Sequence, residues 1–100
     1  MPKPLPPVHP GETLKEDVLK PLQMSVNQLA KALKVDAARL NEIVRGRRAI
    51  SADTALRLSR YLGTSAEFWI GLQADYDLRM ARQLKLKEIE RDVKPKSRAA

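Results

Sequence analysis

No cysteine occurs in this chain, and His9 is its only histidine. Disulfides and thiolate chemistry are thereby excluded, and a zinc site of the usual Cys and His ligands has too few donors. Glycine is scarce, with four residues, and none of them builds a phosphate-cradling loop: Gly11, Gly46 and Gly63 stand at predicted helix boundaries and Gly71 lies inside a helix. Asp75 and Asp77 are two apart on a predicted helix, so they point in different directions and do not pair as acid and base. An enzyme is not expected, nor a cofactor, a metal or a small-molecule substrate. No apolar run approaches the ~20 residues that span a bilayer. The opening MPKPLPPVHPGE has no hydrophobic signal region. A soluble, cytoplasmic protein without membrane association is the expectation.

Aromatic residues make up only 4% of the chain against 43% hydrophobic residues. Such a core is mostly Leu, Ile, Val and Ala, the usual filling of a small helical bundle. Strand-like alternation and internal repeats are also missing. One hundred residues provide one domain with a modest core.

What is abundant is positive charge. The net charge is +7 and the pI about 10.1, which favours an anionic partner. It is uneven: from Arg79 onward there are eight basic and three acidic residues, a net +5, and the other 78 residues carry +2. A second local excess, +4, runs from Lys31 to Arg48.

That second patch coincides with SVNQLAKALKVDAARLNEIVRG, residues 25–46. Ser25 and Gln28 have the spacing of a capping box, and Leu29, Ala30 and Leu33 recur at helical spacing. Only Lys34 and Val35 separate this helix from the next, which forces a sharp corner. Asp36 caps a second helix running from Ala37 to about Arg45, with Gly46 as its stop. At about 100° per residue, Leu40, Ile43 and Val44 share one side, with Ala37 at its edge. Ala38, Glu42 and Arg45 lie opposite, flanked by Arg39 and Asn41. This is the arrangement of a helix-turn-helix that reads duplex DNA. Ala37 and Ala38 allow close approach to the groove. Arg39 can bond guanine, Asn41 adenine at a suitable angle, and Glu42 cytosine N4. Arg45, Arg47 and Arg48 suit phosphate contact, with one of them free to reach a base. An ordinary helical hairpin with a solvated charged face is the plainer alternative.

The rest of the chain frames this motif. Five prolines fall in the first ten residues, so residues 1–9 should form an extended leader. A first helix is predicted from about Gly11 to Lys20, ended by Pro21. A fourth, capped by Ser51, carries Ala55, Leu58 and Leu62 and closes at Gly63. A fifth, capped by Ser65, carries Phe68, Trp69, Leu72 and Tyr76 and continues through Leu78, Ala81 and Leu84. Past about Glu90 the sequence looks irregular. The domain is thus expected over residues 10–78, with a basic helical extension over 79–100. That extension admits three readings: a solvated helix, a DNA-tracking arm or part of a partner interface. Of the late aromatics Phe68 suits the core, while exposed Trp and Tyr rings suit an interface. A homodimer is expected through Phe68, Trp69, Leu72 and Tyr76, because paired recognition helices meet successive major grooves about 34 Å apart.

Three blocks together, HPGETLKEDVLKPL, RGRRAISADTALRLSRYLGTS and EFWIGLQADYDL, resemble the HigA antitoxin group. These proteins, also labelled VapI or plasmid-maintenance antidotes, belong to the phage-repressor-like (XRE) helix-turn-helix regulators. The likeness covers roughly residues 8–78. It implies an all-α, five-helix DNA-binding domain, a palindromic operator in the protein's own promoter, and a HigB-like toxin partner. Such a toxin resembles RelE and cleaves messenger RNA on the ribosome. By position, the resemblance puts Ala37, Ala38, Arg39, Asn41, Glu42 and Arg45 on the recognition helix and Arg47 and Arg48 in the loop after it. Ser25, Asn27 and Gln28 fall where phosphate contact is common. Lys34 departs from the pattern, which often has Gly there; a Lys with positive φ costs about 1 kcal/mol. A toxin would have the leader and first helix available, where Lys15, Glu16 and Asp17 should be exposed. The alternative is a stand-alone regulator of the same family without a toxin.

Overall fold

The computed structural model describes residues 6–97, and every regular element within them is helical. Residues 10–22 form helix α1, which is α-helical over Pro10–Thr13, π-helical over Leu14–Leu19 and α-helical again over Lys20–Leu22. Helices α2 (Val26–Leu33), α3 (Ala37–Val44), α4 (Ala52–Leu62) and α5 (Ala66–Asp92) follow. This is the expected five-helix, all-α architecture. Residues 1–5 of the predicted leader and the end of the basic extension lie outside the described residues.

Side-chain caps begin α2 to α5 as the sequence suggests. Ser25, Asp36, Ser51 and Ser65 each accept a first-turn N–H. Each such cap is worth about 1 kcal/mol over alanine. At the other ends, Gly46 and Gly63 take positive φ and stop α3 and α4.

The end of α1 departs from expectation. Pro21 lies inside the last turn instead of terminating it, and Gln23, with φ 54°, closes the helix. The π-helical stretch is the reason. Its wider register, with the Lys20 N–H bonded to the Lys15 carbonyl, shifts the hydrogen-bond ladder just before the residue that lacks a donor.

The core is a single cluster built from one face of each helix: Leu14 and Val18 of α1, Leu29 and Leu33 of α2, Leu40 and Ile43 of α3, Ala55 and Leu58 of α4, and Trp69 of α5. Helix α1 packs on α3 and α5, α2 on α3 and α4, and α4 on α5. Only the first part of α5 takes part. Residues 81–92 of that helix are exposed throughout, so its second half stands clear of the domain and stretches the molecule to 56 Å. Among the described residues no helix is long and apolar enough to cross a membrane.

Candidate nucleic-acid interface

The corner between α2 and α3 is tight and fully bonded. Lys34 adopts φ 59°, ψ 41°, the left-handed conformation that its position demands. The Val35 N–H reaches back to the Ala30 carbonyl at 3.0 Å and the Lys34 N–H to Lys31 at 3.3 Å. From α4, Arg57 Nη1 donates to the carbonyls of Leu33 and Lys34 at 2.9 and 3.3 Å. Asp53 holds the same guanidinium through Nε at 2.7 Å and is itself held below the usual carboxylate range by that bond. A bond to a charged donor stabilises by about 1.5–3 kcal/mol when shielded. Even with partial exposure, two of them offset the roughly 1 kcal/mol that Lys34 costs in this conformation. Arg57 is thus the missing glycine's substitute, and the sequence carries no local hint of it.

On α3, Ala38 and Arg45 are exposed, and Ala37, Asn41 and Glu42 are half-buried along the edge of the helix. Asn41 Nδ2 bonds the Ala37 carbonyl at 3.2 Å. Arg39 turns away from that edge. Its guanidinium bonds Thr54 Oγ1 and Ser51 Oγ, and lies 3.6 Å from the Asp53 carboxylate. Thr54, buried at the start of α4, completes this joint with Ser51. In this conformation Arg39 ties α3 to α4, and the guanine contact expected of it would require releasing it.

The loop that follows presents Arg45, Arg47 and Arg48, all exposed and none in an ion pair among the described residues. Gly46, with φ 76°, turns the chain there; its N–H bonds the Ile43 carbonyl at 3.0 Å and the Arg47 N–H bonds Glu42 at 2.9 Å. Gln73 of α5 anchors the far end. It is buried, accepts the Ile50 N–H on Oε1 at 2.8 Å and donates from Nε2 to Asp77 at 2.9 Å. A glutamine four residues after Trp69, on the core-facing side, is the one signal that would have pointed to it.

At the start of α2, the reciprocal bonds of the predicted capping box are present, Gln28 N–H to Ser25 Oγ at 3.0 Å and Ser25 N–H to Gln28 Oε1 at 2.8 Å. Their side chains are engaged in the cap, and Asn27 beside them is exposed. The N-terminal ends of α2 and α3 each carry the positive pole of a helix dipole, which attracts phosphate.

The segment His9–Gly11 braces this surface from behind. Gly11 lies so close to the end of α3 that a β-carbon there would stand 1.9 Å from the Ile43 carbonyl oxygen. His9 Nδ1 accepts the Gly11 N–H at 2.9 Å and so caps α1. Its ring meets Tyr76 edge-on at 4.9 Å between centroids. Burial lowers its basicity, against the opposing charge of Asp77.

The four residues expected to form a dimer contact do not share one surface. Trp69 is only 1% exposed, with Nε1 bonded to Thr64 Oγ1 at 2.8 Å, and it belongs to the core. Phe68, expected inside, is 46% exposed and touches Trp69 edge to face. The two expectations are therefore reversed: α5 meets the domain with the 69, 73, 76 side, and the neighbouring position turns outward. Leu72 packs against the core, and Tyr76 is half-covered by His9.

A compact helix-turn-helix with an arginine loop at the end of its second helix defines the class of this protein. The chain matches the helix-turn-helix family (HTH_3) over residues 16–69 and belongs to it. It falls with the HigA and VapI-type members of the XRE regulators. It is 56% identical to virulence-associated protein I of Dichelobacter nodosus over 79 residues, covering 79% of this chain and 73% of that one. Antitoxin HigA-1 of Vibrio cholerae is 33% identical over 89 residues, 89% of this chain and 83% of its own. The structure of Pseudomonas aeruginosa antitoxin HigA with the higBA promoter superposes with a TM-score of 0.87 at 47% identity, covering 91% of this chain and 99% of that one. Two of these three matches are named as antitoxins.

Proposed function

We propose that this protein is the antitoxin of a HigBA-like toxin–antitoxin module and represses its own promoter by binding a palindromic operator. The observation that carries the reading is the exposed Arg45, Arg47 and Arg48 at the end of a helix whose outer edge is Ala38, Asn41 and Glu42. Free arginines supply salt-dependent phosphate affinity, and the polar edge supplies base readout. The promoter-bound HigA structure supports the same role for this fold. Ala37 and Ala38 set how deeply α3 enters the groove, and Ser25, Asn27 and Gln28 bring the start of α2 to a phosphate.

Repression of a palindrome calls for two copies. On α5, Phe68, Leu78, Leu86 and Ile89 are exposed and fall within an arc of about 80° at roughly 100° per residue. The part of α5 that stands clear of the domain, residues 81–92, is short enough to be marginal as an isolated helix in water, and a second copy laid along this arc would cover it. The toxin, RelE-like in this reading, binds the same dimer; Lys15, Glu16 and Asp17 are exposed on α1 for such a contact.

Fluorescence anisotropy on the duplex upstream of the gene, beside a scrambled duplex and across a salt series, tests the repressor role. Sequence-dependent binding that survives physiological salt is expected. Equal, salt-labile binding to both duplexes would reject it.

A further inference from the structure

A concave surface of about 610 Å³ lies between the end of α2 and the outer side of α4, away from the residues assigned to DNA. Its apolar floor is Leu56 and Tyr61, which are 63% and 47% exposed. Lys34, Arg57 and Arg60 surround it. Leu56 and Arg60 form one i, i+4 row on α4, and Asp53, Arg57 and Tyr61 form the next, so the apolar and cationic groups alternate across one helical face. The Tyr61 hydroxyl rests 3.8 Å from Met24 Sδ, which ties the ring toward the end of α1.

The charges here are not evenly spent. Asp53, the one acidic residue lining the groove, is bound by Arg57 at 2.7 Å and lies 3.6 Å from Arg39. Lys34 and Arg60 have no ion pair among the described residues. A surface with unpaired cations around exposed leucine and tyrosine lacks carboxylates flanking an apolar side chain. Phosphodiester would satisfy the cations and leave Leu56 and Tyr61 without a partner.

Its position frees it from the DNA. Lys34 stands at the end of α2 opposite to Ser25, about 13.5 Å away along nine residue steps at 1.5 Å each, and Leu56, Arg57, Arg60 and Tyr61 lie on α4, which carries no residue assigned to DNA. We propose that this groove docks an acidic segment of a partner protein, with an apolar residue seated on Leu56 and Tyr61 and its carboxylates on Lys34 and Arg60. The contact is compatible with operator binding, so a DNA-bound repressor can carry a second protein on its outer face. The proposal goes beyond the repressor reading and does not depend on it.

The probe is a short fluorescein-labelled peptide of Asp, Glu, Leu and Phe, with a control in which Lys replaces the acidic residues. Each is titrated into the isotope-labelled full chain, with and without saturating duplex. Amide shifts at residues 32–34 and 56–61 are expected with the acidic peptide, and they should persist with duplex bound. Combining Leu56→Ser with Arg60→Glu should weaken peptide binding by about tenfold or more while duplex affinity stays unchanged. Displacement of the peptide by duplex, with shifts at residues 45–48, would mean that it merely imitates phosphate and would overturn the proposal. So would equal binding of the lysine peptide, or no saturable binding. Shifts at residues 56–61 caused by duplex alone would reassign the groove to nucleic acid.

Discussion

Replacing Gly11 by alanine sets two effects of opposite sign against each other. Gly11 lies within α1, where alanine is favoured over glycine by about 1 kcal/mol from helix propensity alone. The new β-carbon, however, would lie 1.9 Å from the Ile43 carbonyl oxygen, 2.9 Å from its carbon and 3.0 Å from Val44 Cα. All three are backbone atoms, and no rotamer change can move them. The Ile43 oxygen also accepts the Gly46 N–H at 3.0 Å, which fixes the turn into the arginine loop. Restoring ordinary contact requires α1 and the end of α3 to separate by about 1.5 Å, and overpacking of this kind costs roughly 1–3 kcal/mol. The rigid neighbour places the cost at the upper end, for a net loss of about 2 kcal/mol after the propensity gain. In a domain of this size that is a fall in Tm of roughly 8–16 °C. Because the displaced atoms belong to the recognition helix, duplex affinity should drop as well. Calorimetry of Gly11→Ala beside Glu12→Ala gives the answer. Glu12 is exposed, and its replacement should change stability by no more than about 0.5 kcal/mol. A Gly11→Ala protein as stable as the parent, or more so, would refute the close approach of α1 to α3.

Gln73→Leu keeps the volume of the side chain but removes the acceptor for the Ile50 N–H; a loss of about 1–3 kcal/mol is expected. Hydrogen exchange at the Ile50 amide should accelerate, and unchanged protection would remove Gln73 from the anchor of the loop. The His9 imidazole is less basic in the folded chain than in the unfolded one, because burial disfavours its charge. The unfolded state therefore binds the proton more readily, so stability contributed by His9 is complete above the ordinary value of about 6.5 and falls as pH drops below it toward the lowered folded value. Urea titrations across that window should show a slope that His9→Asn reduces; identical slopes would refute it. For the dimer, Leu78→Glu with Ile89→Glu should halve the mass seen by light scattering, whereas a parent protein already at the mass of one chain in the micromolar range would discard the α5 contact.

The helix-turn-helix was legible because its determinants are local. Ser25 with Gln28, Asp36, Ser51 and Ser65 are caps whose partners lie within three residues, and Gly46 and Gly63 stop helices by their own backbone freedom. Periodicity alone also picked out Leu29, Leu33, Leu40, Ile43 and Leu58 as buried. What escaped depends on distant residues. Arg39 looks free on a helical wheel, and only the placement of Ser51 and Thr54 beside it reveals where its guanidinium goes. Pro21 has the form of a terminator, and the π-helical turn that accommodates it has no composition of its own. Trp69 and Phe68 were exchanged because adjacent residues differ by about 100° around a helix, and aromatic content alone does not fix which one meets the core.

These distant contacts share a purpose that the local pattern does not reveal. Helix α3 is only eight residues long, too short to hold its shape alone. Its start is joined to α4 through Arg39, its entry corner is capped by Arg57, its end rests on Gly11, and the loop beyond it is fastened by Gln73. Each of the four comes from a different part of the chain. A recognition surface read by hydrogen bonds to base edges tolerates little displacement, so rigidity has to be imported from the surrounding helices. The polar residues used in this bracing are unavailable for the groove, so the proposed DNA-facing edge consists of Ala38, Asn41, Glu42 and the arginine loop. Specificity in such a surface rests on few side chains held firmly, and a change at Gly11 or Gln73, both buried behind the proposed DNA-facing edge, should alter operator choice as well as stability.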